Sequence, residues 1–298
     1  MNRWWIYQKE RFPVVKHGLL IAIFSTAAIA YANQLRPNPT AIAPGTVLVA
    51  FIVVFLAFLQ LRIADEFKDF ADDARYRPYR PVPRGLVSLG ELRAIGWGCV
   101  AVQLGLTLAL GWRSLILLAI LWLYMSLMRH EFFAPDWLKV HPIAYLLSHM
   151  LIMPLLALYA SSCDWLRADG EFPITLLWFL AVSYCNGLAI ELGRKIRAPE
   201  SEEPGVETYT ALWGRSQAVA AWLGSLWLAA LCSIGAAVQI QFWPAIAIGL
   251  VLLGIAVILA GRFWLRPTKR SADHLADMAG IWTLLVNLSL GVLPLIKI

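Results

Sequence analysis

Residues 246–260 read IAIGLVLLGIAVILA, and residues 115–128 read LILLAILWLYMSLM. The first contains no polar side chain, and both approach the run of about 20 apolar residues that a helix needs to cross a bilayer. Transmembrane barrels instead show segments of about ten residues with alternating polarity, which these runs exclude. The same character extends outward over the chain. Of 298 residues, 60% are hydrophobic and 15% charged, whereas soluble domains carry roughly 45–50% and about 25%. At about 20 residues per crossing, the composition supplies roughly nine. The chain therefore reads as an all-α polytopic membrane protein, one transmembrane domain over residues 1–298. Apolar runs bounded by charge, Pro or Gly place spans at 14–33, 42–63, 90–111, 113–129, 143–161, 174–192, 216–236, 242–262 and 278–297, arranged around a central cavity.

Orientation follows from the basic residues. With the N-terminus cytoplasmic, 21 Lys and Arg fall on the inner side, and four, Arg36, Arg113, Arg167 and Lys297, on the outer. Lys and Arg set topology, so the expected protein lies in the cell inner (plasma) membrane with its charged loops in the cytoplasm. Its net charge of +6 needs no nucleic acid partner. Cysteine labelling on a cysteine-free background tests this: a probe at position 202 should react from the cytoplasm, and labelling only from outside would overturn the topology. The basic start, Met1 to Lys16, carries no small-residue cleavage site, and Trp4, Trp5 and Phe12 among its cations read as interfacial. Cys99, Cys163, Cys185 and Cys232 lack metal spacing and read as packing thiols.

Half of the chain's 44 formal charges occupy residues 62–93 and 191–215. Both segments follow an outward-to-inward span, four spans apart, as in a parallel internal repeat, and loops 64–89 and 193–215 would cap one bundle mouth. In D65-E-F-K-D-F-A-D-D73, a helix continuing through the segment places Asp65, Asp69 and Asp73 on one face, with Asp72 alongside. Such repulsion becomes useful against a divalent cation, and Mg²⁺ commonly bridges one or two carboxylates to substrate phosphates. The prolines of R77-P-Y-R-P-V-P-R-G85 then end the helix, and its arginines match phosphate oxygens. A substrate with a diphosphate head and an apolar tail would satisfy both loop and bundle.

These two elements together resemble the signature of the UbiA superfamily of intramembrane prenyltransferases, N-D-x-x-D-x-x-x-D followed by R-P-x-R-P-x-P-x-G. The second element matches at every fixed position; Asp65 and Glu66 stand where Asn and Asp are usual. The resemblance implies nine helices around a cavity and transfer of a polyprenyl group from its diphosphate to an unidentified acceptor, with membrane lipid as a further partner and Mg²⁺ as cofactor. It implies Asp69 and Asp73 as catalytic metal ligands, Asp65 and Glu66 as further ligands or their supports, and Lys68, Arg77 and Arg80 on the diphosphate. A cyclase of the same superfamily, a diverged enzyme acting on another lipid phosphate, and a lipid transporter or binding protein remain open alternatives.

The family's second aspartate-rich stretch corresponds to Asn186 through Gly214. Gly205, Thr208 and Gly214 keep its frame, but the stretch contains no Asp. Glu191 is the candidate ligand there, and Lys195 occupies an aspartate position. Either Arg194 and Lys195 contact the diphosphate in place of part of one metal's charge, or the enzyme has diverged toward another head group. His130-Glu131, at the inner end of span four, reads as a water-exposed interfacial pair. His149, inside span five, would orient or deprotonate an acceptor or bond a neighbouring helix, and Asn186 would line the cavity or do the latter. Some of the 14 Trp and 13 Phe would flank an allylic cation.

Overall fold

The computed structural model describes residues 2–168 and 170–296, so Lys297, counted above on the outer side, lies outside the described residues. Fourteen α-helices occur in it: α1 (Arg3–Arg11), α2 (Val14–Gln34), α3 (Pro44–Lys68), α4 (Phe70–Tyr76), α5 (Leu89–Leu110), α6 (Trp112–Arg129), α7 (Pro135–Val140), α8 (Pro142–Met150), α9 (Ile152–Ala168), α10 (Leu177–Arg194), α11 (Tyr209–Trp213), α12 (Arg215–Gln239), α13 (Pro244–Leu265) and α14 (Lys269–Asn287). Strands are absent among the described residues. Among the described residues, nine helical segments are long and apolar enough to cross a membrane, Val14–Gln34, Pro44–Lys68, Leu89–Leu110, Trp112–Arg129, Pro142–Ala168, Ile174–Arg194, Arg215–Gln239, Pro244–Leu265 and Lys269–Ile296. The protein is thus an integral, multi-pass membrane protein.

The bundle has two parts. In the first, α3 packs on α2 and α5, α6 on α5 and α9; in the second, α10 packs on α12 and α14, and α13 between them. Contacts of α2 and α10 with α9, and of α2 with the turn after α14, join the parts. Lipid tails supply no hydrophobic drive between helices, so close packing and interhelical hydrogen bonds carry the association. Gln103 on α5 donates to the Val53 carbonyl at 3.0 Å and accepts from Trp122 at 3.0 Å. Tyr31 donates to the Ala236 carbonyl at 3.0 Å, and Thr107 bonds Tyr159 at 2.6 Å.

Two expectations are corrected, and one span shows a break. The helix through the first charged segment is not continuous, because α3 ends at Lys68 and Asp69 leaves helical geometry at φ −87°, ψ 1°. The bonds Asp69 N–H to the Asp65 carbonyl (2.9 Å) and Asp73 N–H to the Asp69 carbonyl (2.8 Å) survive, so the break is a kink. Phe12 is buried rather than interfacial, stacked on His17 with ring centroids 4.6 Å apart. The fifth span divides into α8 and α9 at Leu151. Pro154 removes the N–H that would bond the Met150 carbonyl, and its ring crowds that carbonyl. Two phenols compensate: Tyr184 donates to the Leu147 carbonyl (3.1 Å) and Tyr124 to the Ser148 carbonyl (2.5 Å). Irregular backbone at membrane depth needs such partners.

The four cysteines are free thiols, three of them buried.

Candidate active site

The two charged segments meet at one end of the bundle. Tyr79 of the first donates to Glu203 of the second at 2.8 Å, and with Arg197 beside it this bond holds the Glu203 carboxyl below its usual range. Gly205 lies under the Tyr76 ring at φ +74°, and a Cβ there would fall 2.5 Å from that ring. Both the left-handed backbone and the close approach therefore require glycine. Behind it, Glu202 accepts from Thr208 (2.8 Å) and Thr210 (2.7 Å), and Glu200 accepts the first N–H of α14 at 2.7 Å. These two glutamates pin the loop.

In the first segment the acidic residues divide by partner. Asp73, buried, lies 2.6 Å from both Arg77 and Arg80. Burial, with Arg11 and Arg77 close by, works against the Arg80 charge, and Asp73 sustains it. Glu66, also buried, is held by Arg11 of α1 at 2.5 Å. Asp65 pairs with Arg62 at 3.3 Å. For Asp69, no side-chain hydrogen bond or ion pair occurs among the described residues. Burial, then the like charges of Asp65 and Asp73, raise its carboxyl above the ordinary range. Asp69 thus carries the repulsion that a cation would relieve, and one turn away Asp65 offers a second carboxylate. This donor chemistry fits a hard divalent ion. Among the described residues, no three acidic, His or Cys side chains stand gathered as a preformed metal cluster.

The second segment is different. Glu191 is enclosed by Arg194 at 2.5 Å and Lys195 at 3.1 Å. The Lys195 ammonium does not extend away from the mouth. It lies 5.8 Å from the centre of the Tyr145 ring and 5.6 Å from that of Tyr209, and burial pushes the Tyr209 phenol strongly up. Lys68 reaches the same Tyr145 from the other segment, donating to its hydroxyl at 2.6 Å. Lys68 and Lys195 therefore converge on one tyrosine, and Arg93 and Arg129 add cations over the nearby Phe67 ring, at 5.5 and 5.2 Å.

Sequence reasoning missed Tyr145, which lies in no charged motif, and read Arg11 only as one of the interfacial cations of the basic start. Glu131 is corrected: it pairs with Lys68 at 2.9 Å and is only 21% exposed. Basic residue and carboxylate spacing gave no sign of this pairing across helices. His149 and Asn186, expected near the cavity, are both buried. Asn186 accepts from Trp282 at 3.0 Å and so bonds a neighbouring helix. His149 stacks on Tyr145, centroids 3.8 Å apart, next to the break in the fifth span. A groove of about 410 Å³, walled mainly by apolar side chains and including Phe132, Ser148 and Tyr184, runs beside that break.

A model of the UbiA prenyltransferase family matches residues 19–285. A search of the curated proteins finds no match. Among solved structures, the chain is similar to the apo structure of a UbiA homolog from Aeropyrum pernix K1, with 13% identity, a TM-score of 0.72 and coverage of 92% of this chain and 96% of that one. It is also similar to a structure of digeranylgeranylglyceryl phosphate synthase, with 16% identity, a TM-score of 0.63 and coverage of 97% and 98%. At these identities the structural likeness establishes the fold.

Proposed function

The chain belongs to the UbiA prenyltransferase family, and from that premise we propose that it moves a polyprenyl group from its diphosphate to an acceptor at the mouth where Lys68 and Lys195 meet. The observation that carries the details is the pairing of Glu191 with both Arg194 and Lys195. The second segment contributes net positive charge, where an aspartate pair would contribute the means to hold metal. Asp69 and Asp65 of the first segment would hold Mg²⁺, which would supply positive charge to the diphosphate.

The chain's own residues do the rest. Arg77 and Arg80 bind diphosphate oxygens through paired N–H groups, with Asp73 orienting both guanidinium groups. Arg11 keeps Glu66 compensated, which makes Glu66 a support of α3 in this reading. Lys68, Arg194 and Lys195 stabilise the charge that collects on the diphosphate as the allylic carbon–oxygen bond breaks. The apolar bundle keeps water from the resulting cation. The 21-to-4 distribution of basic residues supports a mouth that faces the cytoplasm.

Lys195 provides the test. Lys195→Ala should weaken binding of a tritiated prenyl diphosphate roughly tenfold or more, since a hydrogen bond to a charged group contributes about 1.5–3 kcal/mol. Lys195→Asp should raise the apparent Mg²⁺ requirement, making transfer depend more steeply on Mg²⁺, because a fixed cation is lost and metal must replace its charge. An unchanged Mg²⁺ dependence together with unchanged affinity would place Lys195 outside the reaction and leave a diverged enzyme with another head group.

A further inference from the structure

His149 is 6% exposed and lies in the last turn of α8, where the fifth span breaks. Its Nδ1 lies 2.9 Å from the Tyr145 carbonyl oxygen. A carbonyl has no proton to give, so Nδ1 carries the hydrogen of that bond, and in the neutral ring Nε2 is left as a bare acceptor. Nε2 is buried and has no hydrogen-bond partner in the structure. Leaving a buried acceptor unpaired costs about 1–3 kcal/mol, and a donor arriving with a ligand would remove that cost.

The surroundings say which ligand. The imidazole face lies against Tyr145, whose hydroxyl receives the Lys68 bond, so one aromatic ring separates Nε2's own ring from the first charged segment. Phe132 meets the imidazole edge-on at 5.6 Å, and Ser148 approaches Nδ1 at 3.4 Å. Both also line the groove of about 410 Å³, so the imidazole stands directly behind the groove wall. The hydroxyls of Ser148 and Tyr184 in that wall are already engaged with backbone carbonyls. Nε2, buried one layer behind this wall, is still in need of a hydrogen.

Resting on the prenyl-transfer reading, we infer that His149 binds and deprotonates a hydroxyl-bearing acceptor. The allylic carbon–oxygen bond breaks with its electron pair leaving on the diphosphate. The acceptor oxygen forms the new bond to that carbon, and its proton passes to Nε2, from which solvent removes it after product leaves. The acceptor class is an alcohol or phenol that reacts through oxygen.

Two variants separate the ring's atoms. Asparagine can keep a donor where Nδ1 stands and offers nothing at Nε2, whereas glutamine places an amide oxygen near Nε2 that accepts a hydrogen bond but takes no proton. The full-length protein in nanodiscs would receive the tightest-binding of tritiated farnesyl, geranylgeranyl and octaprenyl diphosphates, with membranes and cytosol from source cells lacking the gene as acceptor supply. Both His149→Asn and His149→Gln should lower kcat by about 10²-fold or more, the usual contribution of a positioned base, with prenyl-diphosphate affinity within about twofold of wild type. His149→Gln should also retain the apparent KM for the acceptor supply. A wild-type rate in His149→Asn would reduce the residue to its Tyr145 bond, and loss of prenyl-diphosphate affinity would move it to the diphosphate site; either overturns the inference. A wild-type protein that binds a prenyl diphosphate but yields no labelled product, or binds none, would overturn the transfer reading itself.

Discussion

Asp69→Ala should lower prenyl transfer by on the order of 10²–10³-fold, the scale of removing one preorganised electrostatic group from a reacting centre, while leaving the protein at least as stable as wild type. The two halves of this expectation have one cause. Asp69 is half-buried, lacks a cationic partner among the described residues, and has its carboxyl raised by burial and by Asp65 and Asp73. A carboxyl raised in the folded state disfavours folding at pH values where it is ionised, and that penalty disappears as pH falls through the raised value. Removing the group therefore relieves the fold at neutral pH and removes a metal ligand at the same time. Asp73→Ala should inactivate too, but by another path. It strands Arg77 and Arg80 in a buried place, and breaking a buried pair from one side costs about 3–5 kcal/mol. Turnover and thermal unfolding measured together distinguish them: activity loss without destabilisation for Asp69, both losses for Asp73. Full activity in both variants would remove the first charged segment from the chemistry.

Gly291→Ala should be the most disruptive single methyl group in the bundle. Gly291 lies in the π-helical turn, Leu288–Val292, that presses on α2. A Cβ there would overlap the Ala27 Cα and come within 2.7 Å of its carbonyl oxygen. Backbone atoms cannot rotate aside, so α2 must shift, and α2 also carries the Tyr31 bond to Ala236. Overpacking of this kind costs about 1–3 kcal/mol and occasionally more. Gly254→Ala is the control, since a Cβ at that position in α13 meets nothing within 4 Å, and alanine in a helix interior is favoured over glycine by up to about 1 kcal/mol. Thermal midpoints in one detergent should fall for Gly291→Ala and hold or rise for Gly254→Ala. Equal midpoints would show that the α2 contact yields without strain.

The nine spans were legible because hydropathy reads the solvent that each residue must meet, and the membrane gives that signal great contrast. The start of α14 at Lys269 was not: the span reading begins at 278, yet Thr268 caps a helix that runs through Asp273 and Asp277 first. Polar turns beyond the apolar stretch are invisible to a hydropathy window. The first charged segment was legible because its carboxylates and arginines lie close in sequence. Its partners were not. Lys68 meets Tyr145 across 77 residues, and Arg11 meets Glu66 across 55; helix packing decides such pairs. The departure in the second segment was visible as Lys195, but whether its ammonium turns inward depends on the Tyr145 and Tyr209 rings that receive it.

The clasp between α1 and the mouth also fixes an order of events during synthesis. Arg11 precedes Glu66 in the chain, so the ribosome delivers the cation before the acid that it neutralises, with an entire membrane crossing, α2, between them. Until α3 has been made, Arg11 lacks the carboxylate that it holds in the finished protein, where Trp5, 55% exposed, suits the headgroup layer. The salt bridges of Arg84 with Glu10 and of Arg3 with Glu91 close later still, as the loop and α5 emerge. The mouth is thus completed by a segment made earlier than the loops and docked after them, and its assembly becomes a step in time that neither charged loop can take alone.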